Sequence, residues 1–142
     1  MNLLSWQVAA YLSMIFAGLT AVIAKAGLKN VSGTTGLAVR TIFVTIFIGA
    51  VVLLINRLDD IHKLTKKDVF LLGVSGLTTA LSWLFYYHAI KIGNVSQVAL
   101  IDKGSIVITL ILAILFLNEP VSPKLILGGV LVIAGLIVLT LK

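Results

Sequence analysis

Hydrophobic segments long enough to cross a bilayer make up most of this chain. A transmembrane helix needs about 20 consecutive, mainly apolar residues. Five segments meet that requirement: 4–28, 36–56, 69–90, 98–117 and 122–141. Backbone polar groups find no water inside a bilayer, so segments of this length are expected to be helices. We therefore predict an all-α integral membrane protein with five transmembrane helices, which form a single domain over residues 1–142.

The composition excludes a water-soluble fold and several classes of function. Hydrophobic residues make up 60% of the 142 residues and charged residues 11%, whereas a soluble domain carries about 25% charged residues. There is no cysteine, so the chain can form neither a disulfide framework nor a thiolate site. Most of the eleven cations behind the net charge of +6 lie at predicted helix ends or in short loops, which is typical of membrane topology. We expect a lipid bilayer around the chain and no nucleic acid as a partner.

Local signals support the helix boundaries. Thr65 and Asp68 have the spacing of a capping box and predict the start of the third helix. Proline is tolerated in a first helical turn, so Pro123 predicts that the fifth helix begins near Ser122. The first segment lacks a positively charged leader region and is too long for the hydrophobic part of a signal peptide, so we interpret it as a retained helix.

The cations give almost no preference for one orientation in the membrane. Five spans put the termini on opposite sides, here named side A for the N-terminal side and side B for the other. The surface cations are Arg57, Lys63, Lys66, Lys67 and Lys124 on side A, against Lys25, Lys29, Lys91 and Lys142 on side B. Orientation follows an excess of cations on the cytoplasmic side. Two interpretations stay open: the run at 57–67 places side A in the cytoplasm, or the protein inserts both ways.

Four ionisable residues fall inside or at the ends of three predicted helices, at similar depth near side B. They are Lys25, Arg40, Asp102 and Lys103. Ionisable side chains at membrane depth are costly and are by default candidates for a functional site. The end of the third helix adds aromatic and imidazole side chains on the same side, namely Trp83, Tyr86, Tyr87 and His88. We predict that the substrate or a coupling ion binds among Lys25, Arg40, Trp83, Tyr86, Asp102 and Lys103.

Other interpretations of these residues stay open. Lys25 lies close enough to the surface to extend its amine into water. Tyr86, Tyr87 and His88 fit an interfacial aromatic belt. A third interpretation makes Arg40 and Asp102 a purely structural ion pair, and we expect Arg40 or Lys25 to be the partner of Asp102. Because three cations face one carboxylate, the surplus charge favours an anionic ligand, or Asp102 as a proton carrier held by the cations.

No catalytic or metal-binding arrangement is evident in the sequence. His62 and His88 belong on opposite sides of the membrane, so they cannot share a metal ion. Ser105 has no evident base nearby, and the glycines do not form a phosphate-binding loop. We therefore expect no enzyme activity, no catalytic residue, no metal and no cofactor. Small residues instead predict helix–helix contacts, at Ser13, Ala17 and Ala21 in the first helix and at Gly128, Gly129, Ala134 and Gly135 in the fifth.

Several motifs together resemble one family of membrane proteins. They include Arg40 and the segments 24–27, 86–94, 98–103, 115–119 and 128–135. The pattern Tyr-x-x-Ala-x-x-x-Gly at 86–93 and the Leu-Asn-Glu at 117–119 are its more specific parts. The chain resembles the EamA domain of the drug/metabolite transporter superfamily, and the resemblance spans essentially its whole length.

The resemblance implies a transporter of small metabolites or drugs that works by alternating access, in a bacterial or archaeal plasma membrane. Most members carry two five-helix domains related as inverted repeats, so this chain resembles one half of an inverted-repeat transporter. Because five is odd, two separate copies need dual insertion to reproduce the inverted pair. The resemblance therefore favours an antiparallel homodimer, with a parallel dimer second. The alternative function is a non-transporting membrane subunit that needs a different five-helix partner.

The chain departs from the pattern of this superfamily in two places. Many members have a proline early in the fourth helix, where this chain has the segment 103–106. The related small multidrug resistance proteins exchange protons for cationic drugs through a glutamate in the first helix. The first helix here has no acidic residue, and Lys25 is its only charged side chain. Asp102 is the only carboxylate inside a predicted span and is therefore the candidate for proton coupling.

Overall fold

The computed structural model describes residues 5–56 and 58–140, most of which are α-helical. The helices are α1 (Trp6–Gly27), α2 (Gly33–Leu54), α3 (Lys66–Ile92), α4 (Val95–Asp102), α5 (Ser105–Leu117) and α6 (Pro123–Thr140), with a 3-10 helix at Leu58–Lys63. These described residues contain no β-strand. Some residues used above lie outside the described ranges, namely the span ends Leu4 and Leu141 and the cations Arg57 and Lys142.

The helices have the length and hydropathy of a membrane protein. α1, α2, α3 and the combined segment Val95–Leu117 are each long and apolar enough to cross a bilayer, whereas the apolar part of α6, Pro123–Leu139, is shorter. The predicted all-α membrane class is confirmed, with four to five helices able to span. The chain divides into two compact units, Met1–Ile92 with α1 to α3 and Gly93–Lys142 with α4 to α6.

Two predicted helix starts are confirmed by the hydrogen bonds at their caps. At α3, Thr65 N–H donates to Asp68 Oδ2 (3.0 Å) and Asp68 N–H donates to Thr65 Oγ1 (3.2 Å), so the capping box forms in both directions. At α6, Leu125 N–H donates to Ser122 Oγ (3.2 Å), and Pro123 takes the first helical position.

Three helices begin about one turn before the hydrophobic segments that were assigned to them. α2 begins at Gly33 rather than residue 36 because Ser32 caps it, with Thr35 N–H donating to Ser32 Oγ (3.0 Å). Similarly, α3 begins at Lys66 rather than residue 69, and α4 at Val95 rather than residue 98. The first N–H groups of a helix need side-chain partners, so polar residues belong in the first turn. A helix therefore begins before the hydrophobic segment from which it is predicted.

The fourth predicted helix is interrupted, which the sequence did not predict. Instead of one helix over 98–117, α4 ends at Asp102 and α5 begins at Ser105. The backbone tightens between them, since Gly104 N–H donates to Ile101 O (2.9 Å), three residues earlier instead of four. A short 3-10 turn inside a longer helix often marks a hinge or a strained sequence.

Burial in the first unit is concentrated where α1 ends, α2 begins and α3 ends. The buried apolar side chains are Ala21, Leu28, Leu37, Tyr87 and Ile90, whereas most large apolar side chains along the rest of these helices are exposed. Two glycines permit the close approach. A Cβ at Gly33 would lie 2.7 Å from the Tyr87 backbone oxygen, and one at Gly36 would overlap the Leu28 side chain.

In the second unit, α6 packs on α5 through one of its predicted contact glycines. A Cβ at Gly129 would lie 3.2 Å from Leu110 of α5. By contrast, a Cβ at Gly128 or Gly135 would meet nothing within 4 Å in the described part of the chain. The predicted contact face of α6 is thus confirmed at Gly129, and Gly128 and Gly135 meet no side chain of the second unit.

We expect Gly33→Ala to destabilise the protein by about 1–3 kcal/mol, because the added methyl group would overlap the backbone of α3, which has no flexible end that can move aside. Gly49→Ala in the same helix is the matched control. Its Cβ would meet nothing within 4 Å among the described residues, and alanine has the higher helix propensity, so stability should stay the same or rise slightly. Thermal unfolding in detergent measures the difference, and equal melting temperatures would contradict the close approach of α2 to α3.

Candidate functional site

Lys25 binds the end of another helix. It lies in the last turn of α1 and its side chain is half-buried. The Lys25 Nζ donates to Ile90 O (2.5 Å) and to Lys91 O (3.1 Å), both in the last turn of α3. The last carbonyls of a helix have no partner within the helix and carry its negative partial charge, so an ammonium group is a favourable cap there.

Lys91 makes the same interaction in the opposite direction. It lies in the last turn of α3. The Lys91 Nζ donates to Leu28 O and, at 3.0 Å, to Lys29 O, just beyond the end of α1. Each helix thus supplies the ammonium group that caps the other. We call this reciprocal pair of lysine caps, formed by Lys25 and Lys91, the lysine clamp.

The clamp changes the interpretation of Lys25. An amine extended into water would account for its position near the helix end, but the amine is bound to two backbone carbonyls. Sequence reasoning counted Lys91 only as a surface cation and missed this role. The signal was present, since basic residues in the last turn of a helix often cap carbonyls, but the sequence did not show which helix end each lysine would reach. That Lys25 also contacts a substrate or an ion stays a prediction.

Arg40 stacks on the aromatic residues at the end of α3. The guanidinium carbon lies 4.2 Å from the centroid of the Trp83 ring and 5.8 Å from that of Tyr87. These distances are in the range of cation–π interactions. Because α2 begins at Gly33, Arg40 lies seven residues into the helix, roughly 10 Å along its axis. The structure therefore brings together two predicted site residues, Arg40 and Trp83.

Tyr87 and Tyr86 differ in their surroundings. Tyr87 is buried and lies beside Arg40, so it does not belong to an exposed interfacial belt. Sequence reasoning left it out of the site, because two neighbouring tyrosines on a helix give no sign of which one faces protein. The Tyr86 side chain is half-buried, and its ring meets that of Tyr87 edge to face at 6.3 Å. His88 is exposed.

A groove beside Arg40 has the size and lining of a ligand site. It encloses about 640 Å³ between α1 and α2, with one residue from α3. The lining is Thr20, Ile23, Ala24, Gly27, Leu28, Val31, Thr35, Gly36, Val39, Arg40, Phe43 and Tyr87. Ligand sites are typically clefts of about 300–1,000 Å³, largely apolar with a few placed polar groups. We call this space the Arg40 groove.

A second groove lies between α2 and α3. It encloses about 870 Å³, and its lining includes Trp83 and the hydroxyl-bearing residues Thr34, Thr41, Thr45, Ser75 and Thr79. Thr41 donates its hydroxyl to Leu37 O and Thr79 donates to Ser75 O, both at 2.8 Å. Because the hydroxyl groups of Thr41 and Thr79 donate their proton to the helix backbone, they can interact with a ligand in this groove chiefly as hydrogen-bond acceptors. None of the described residues that line it is charged.

Asp102 and Lys103 lie at the interruption between α4 and α5. The Lys103 Nζ is 3.9 Å from Asp102 Oδ2, and the two side chains are 41% exposed for Asp102 and 56% for Lys103. An ion pair this long and this exposed contributes little to stability. The expected pairing of Asp102 with Arg40 or Lys25 stays a prediction. Among the described residues no group of three acidic, histidine or cysteine side chains could hold a metal ion.

Comparison with known proteins gives this helical membrane domain its class. Residues 4–141 match the EamA-like transporter family, so the chain belongs to that family. It is also 36% identical over 135 residues to a protein of Sinorhizobium sp. named "Uncharacterized transporter in cobO 3'region", which covers 95% of this chain and 96% of that relative. No solved structure matches the chain. The family and the relative support a membrane transporter rather than an enzyme.

We expect Lys25→Met and Lys91→Met each to destabilise the protein by about 1.5–3 kcal/mol, because each removes hydrogen bonds made by a charged group to carbonyls that then lack a donor. Lys29→Met is the matched control. Lys29 is an exposed cation at the same end of α1, and its amine bonds none of the described side chains or carbonyls. Its replacement should therefore change the free energy of unfolding by less than about 0.5 kcal/mol. Thermal unfolding in detergent measures all three. A clamp variant as stable as Lys29→Met would contradict the lysine clamp.

Proposed function

We propose that this chain is half of a small-molecule transporter, which works by alternating access as a homodimer in a bacterial or archaeal plasma membrane. The observation that carries the proposal is the match to the EamA-like transporter family over residues 4–141. In this proposal the five predicted spans form a single domain, and a second copy supplies the other half. The substrate site includes Arg40, Trp83 and Tyr86, together with Lys25, Asp102 and Lys103.

The exposure of apolar side chains supports a second copy as the partner. Helices α1 to α3 bury side chains mainly at one end, and their remaining large apolar side chains are exposed within the unit. Both grooves are open and are lined by described residues of the first unit, so a further helical surface would be needed to enclose a substrate in them. On α6, Gly128 and Gly135 leave room for another helix to approach closely.

The charge distribution supports an antiparallel arrangement over a parallel one. The surface cations on the two predicted sides are nearly balanced, so neither orientation is strongly favoured during insertion. Two copies inserted in opposite orientations reproduce the inverted repeat of two-domain transporters. Asp102 is the proposed proton carrier, because it is the only carboxylate within a predicted span and lies at the interruption between α4 and α5.

Joining two copies in one chain tests the function and the arrangement together. A direct tandem with a short polar linker forces the copies to be antiparallel, because five spans are odd. A second tandem with one extra transmembrane helix in the linker forces them to be parallel. The ligand for this test is a small molecule that raises the melting temperature of the purified protein. We expect the direct tandem and the single chain to take up this ligand into proteoliposomes, and we expect no uptake by the parallel tandem.

Three results would contradict parts of this proposal. Uptake by the parallel tandem alone would contradict the antiparallel arrangement. If both tandems bind ligand and neither transports, the homodimer is wrong. Copurification of the single chain with a different five-helix protein, together with uptake only by that pair, would favour the subunit function instead.

A further inference from the structure

Arg40 holds hydrogen-bond donors that the first unit leaves without an acceptor. A guanidinium carries five N–H donors in its plane, and stacking on Trp83 uses the face of that plane rather than its edge. Among residues 5–56 and 58–92, no carboxylate lies within ion-pair distance of Arg40, and no carbonyl or hydroxyl accepts a hydrogen bond from it. Its donors are therefore open to the groove that it lines.

Two of the other cations at this end of the unit are already bound, and the third, Lys29, is exposed beyond the end of α1. Lys25 and Lys91 donate to backbone carbonyls in the lysine clamp. The described carboxylates of the first unit lie at the start of α3 or in the preceding 3-10 helix, at the far end of α3 from Tyr87. There, Asp60 pairs with Lys63 and Asp68 caps α3. Arg40 thus lies within a helix of the first unit, and its guanidinium donors have no acceptor among the described residues of that unit.

The groove around these donors suits an amphiphilic molecule. Next to the guanidinium the lining is mainly apolar, with Ile23, Val39 and Phe43 along its length. Thr20 and Thr35 add hydroxyl groups. A planar guanidinium edge matches a carboxylate in two parallel hydrogen bonds. The apolar part of such a molecule would then lie along α1 and α2, beyond the pair formed by the guanidinium and the carboxylate.

A cationic ligand is disfavoured at the same place. The aromatic rings that would attract a cation, Trp83 and Tyr87, already have the Arg40 guanidinium beside them. A second cation would have to displace this group and overcome repulsion from it. An unpaired cation at membrane depth has a high free-energy cost. An anion that pairs with Arg40 removes this cost, and the removal adds to the affinity of the anion.

We propose that the Arg40 groove binds the carboxylate of an organic acid with an apolar body, through the guanidinium edge of Arg40. The inference rests on the proposed transport function for its claim that this acid is the substrate. A carboxylate from solution and the phosphate of an anionic lipid headgroup present the same oxyanion chemistry. We assign the groove to the organic acid, and the experiment includes the lipid.

Trp83 provides a direct signal of binding. Trp6 and Trp83 are the two tryptophans of the chain, and Trp6 is exposed at the start of α1. In a Trp6→Phe background the indole fluorescence therefore reports on the ring that Arg40 covers. The probes are 3-phenylpropanoate and 4-methylpentanoate, each with its primary amide and its primary amine as neutral and cationic counterparts. The protein is in an uncharged detergent.

We expect saturable changes in Trp83 fluorescence with at least one carboxylate, and affinities lower by about tenfold or more for its amide and amine, because they lack the charge-assisted pair. Arg40→Gln should weaken carboxylate binding by a similar factor. Arg40→Lys, which keeps the charge and loses the planar fork, should fall between the two. Lys29→Gln removes one exposed positive charge at the same end of α1 and should bind like the parent protein.

Several outcomes would overturn the inference. They are equal binding of the amine and the carboxylate, unchanged carboxylate binding in Arg40→Gln, or no response to any carboxylate. A Trp83 response to phosphatidylglycerol micelles that blocks the carboxylate would assign the groove to lipid instead. If Arg40→Ala is less stable than Arg40→Ala combined with Asp102→Ala, Asp102 is the counter-ion and the groove needs no anion.

Binding and transport are measured separately, so their failures are distinguishable. Carboxylate binding that depends on Arg40, without uptake into proteoliposomes, would keep the site and contradict the transport function. Uptake of neutral or cationic compounds, with no carboxylate response at Trp83, would keep the transport function and overturn the inference.

Discussion

The lysine clamp is the interaction on which the arrangement of the first three helices depends. Carbonyls at a helix end that lies in or near a bilayer have few donors available. Lys25 supplies donors to the end of α3, and Lys91 supplies donors to the segment that follows α1. The two helix ends are therefore held side by side. Leu28 and Ile90, the largest fully buried side chains among the described residues, lie at these two helix ends.

The position of Arg40 follows from that contact. The start of α2 lies against the end of α3, because Gly33 has no side chain and can approach the backbone at Tyr87 closely. Two turns later along α2, Arg40 reaches the Trp83 ring one turn earlier along α3. Two lysines donate hydrogen bonds to backbone carbonyls, and the arginine lies beside aromatic rings that leave its donors open. The same unit thus combines structural cations with one cation available to a ligand.

The sequence predicted the class of fold well because that class depends on properties of single segments. Apolar length gives the membrane helices, and local caps such as Thr65–Asp68 give their starts. Helix starts with polar first turns were placed late, since hydrophobicity does not register a cap such as Ser32. The interruption after Asp102 was also missed. There, Gly104 allows the Leu136 side chain of α6 to approach the turn, a contact between residues distant in sequence.

The candidate site was predicted in part for the same reason. Charge at membrane depth identified Arg40, and its place on the same side as Trp83 was enough to group them. Whether a lysine near a helix end reaches water or another helix depends on what packs beside it, so the sequence left Lys25 open and missed Lys91. Tyr87 was missed because neighbouring aromatic residues are distinguished only by the helix face that becomes buried.

One measurement tests the lysine clamp most directly. Ile90–Lys91 is the only isoleucine–lysine pair in the chain, so [1-13C]isoleucine with uniformly 15N-labelled lysine resolves the Ile90 carbonyl by solid-state NMR of the protein in lipid bilayers. We predict dipolar coupling from that carbonyl carbon to an ammonium nitrogen at about 4 Å, as expected across one hydrogen bond. The coupling should vanish in Lys25→Arg, which lacks the labelled ammonium group. Coupling that is absent in the parent protein, or unchanged in Lys25→Arg, would contradict the clamp.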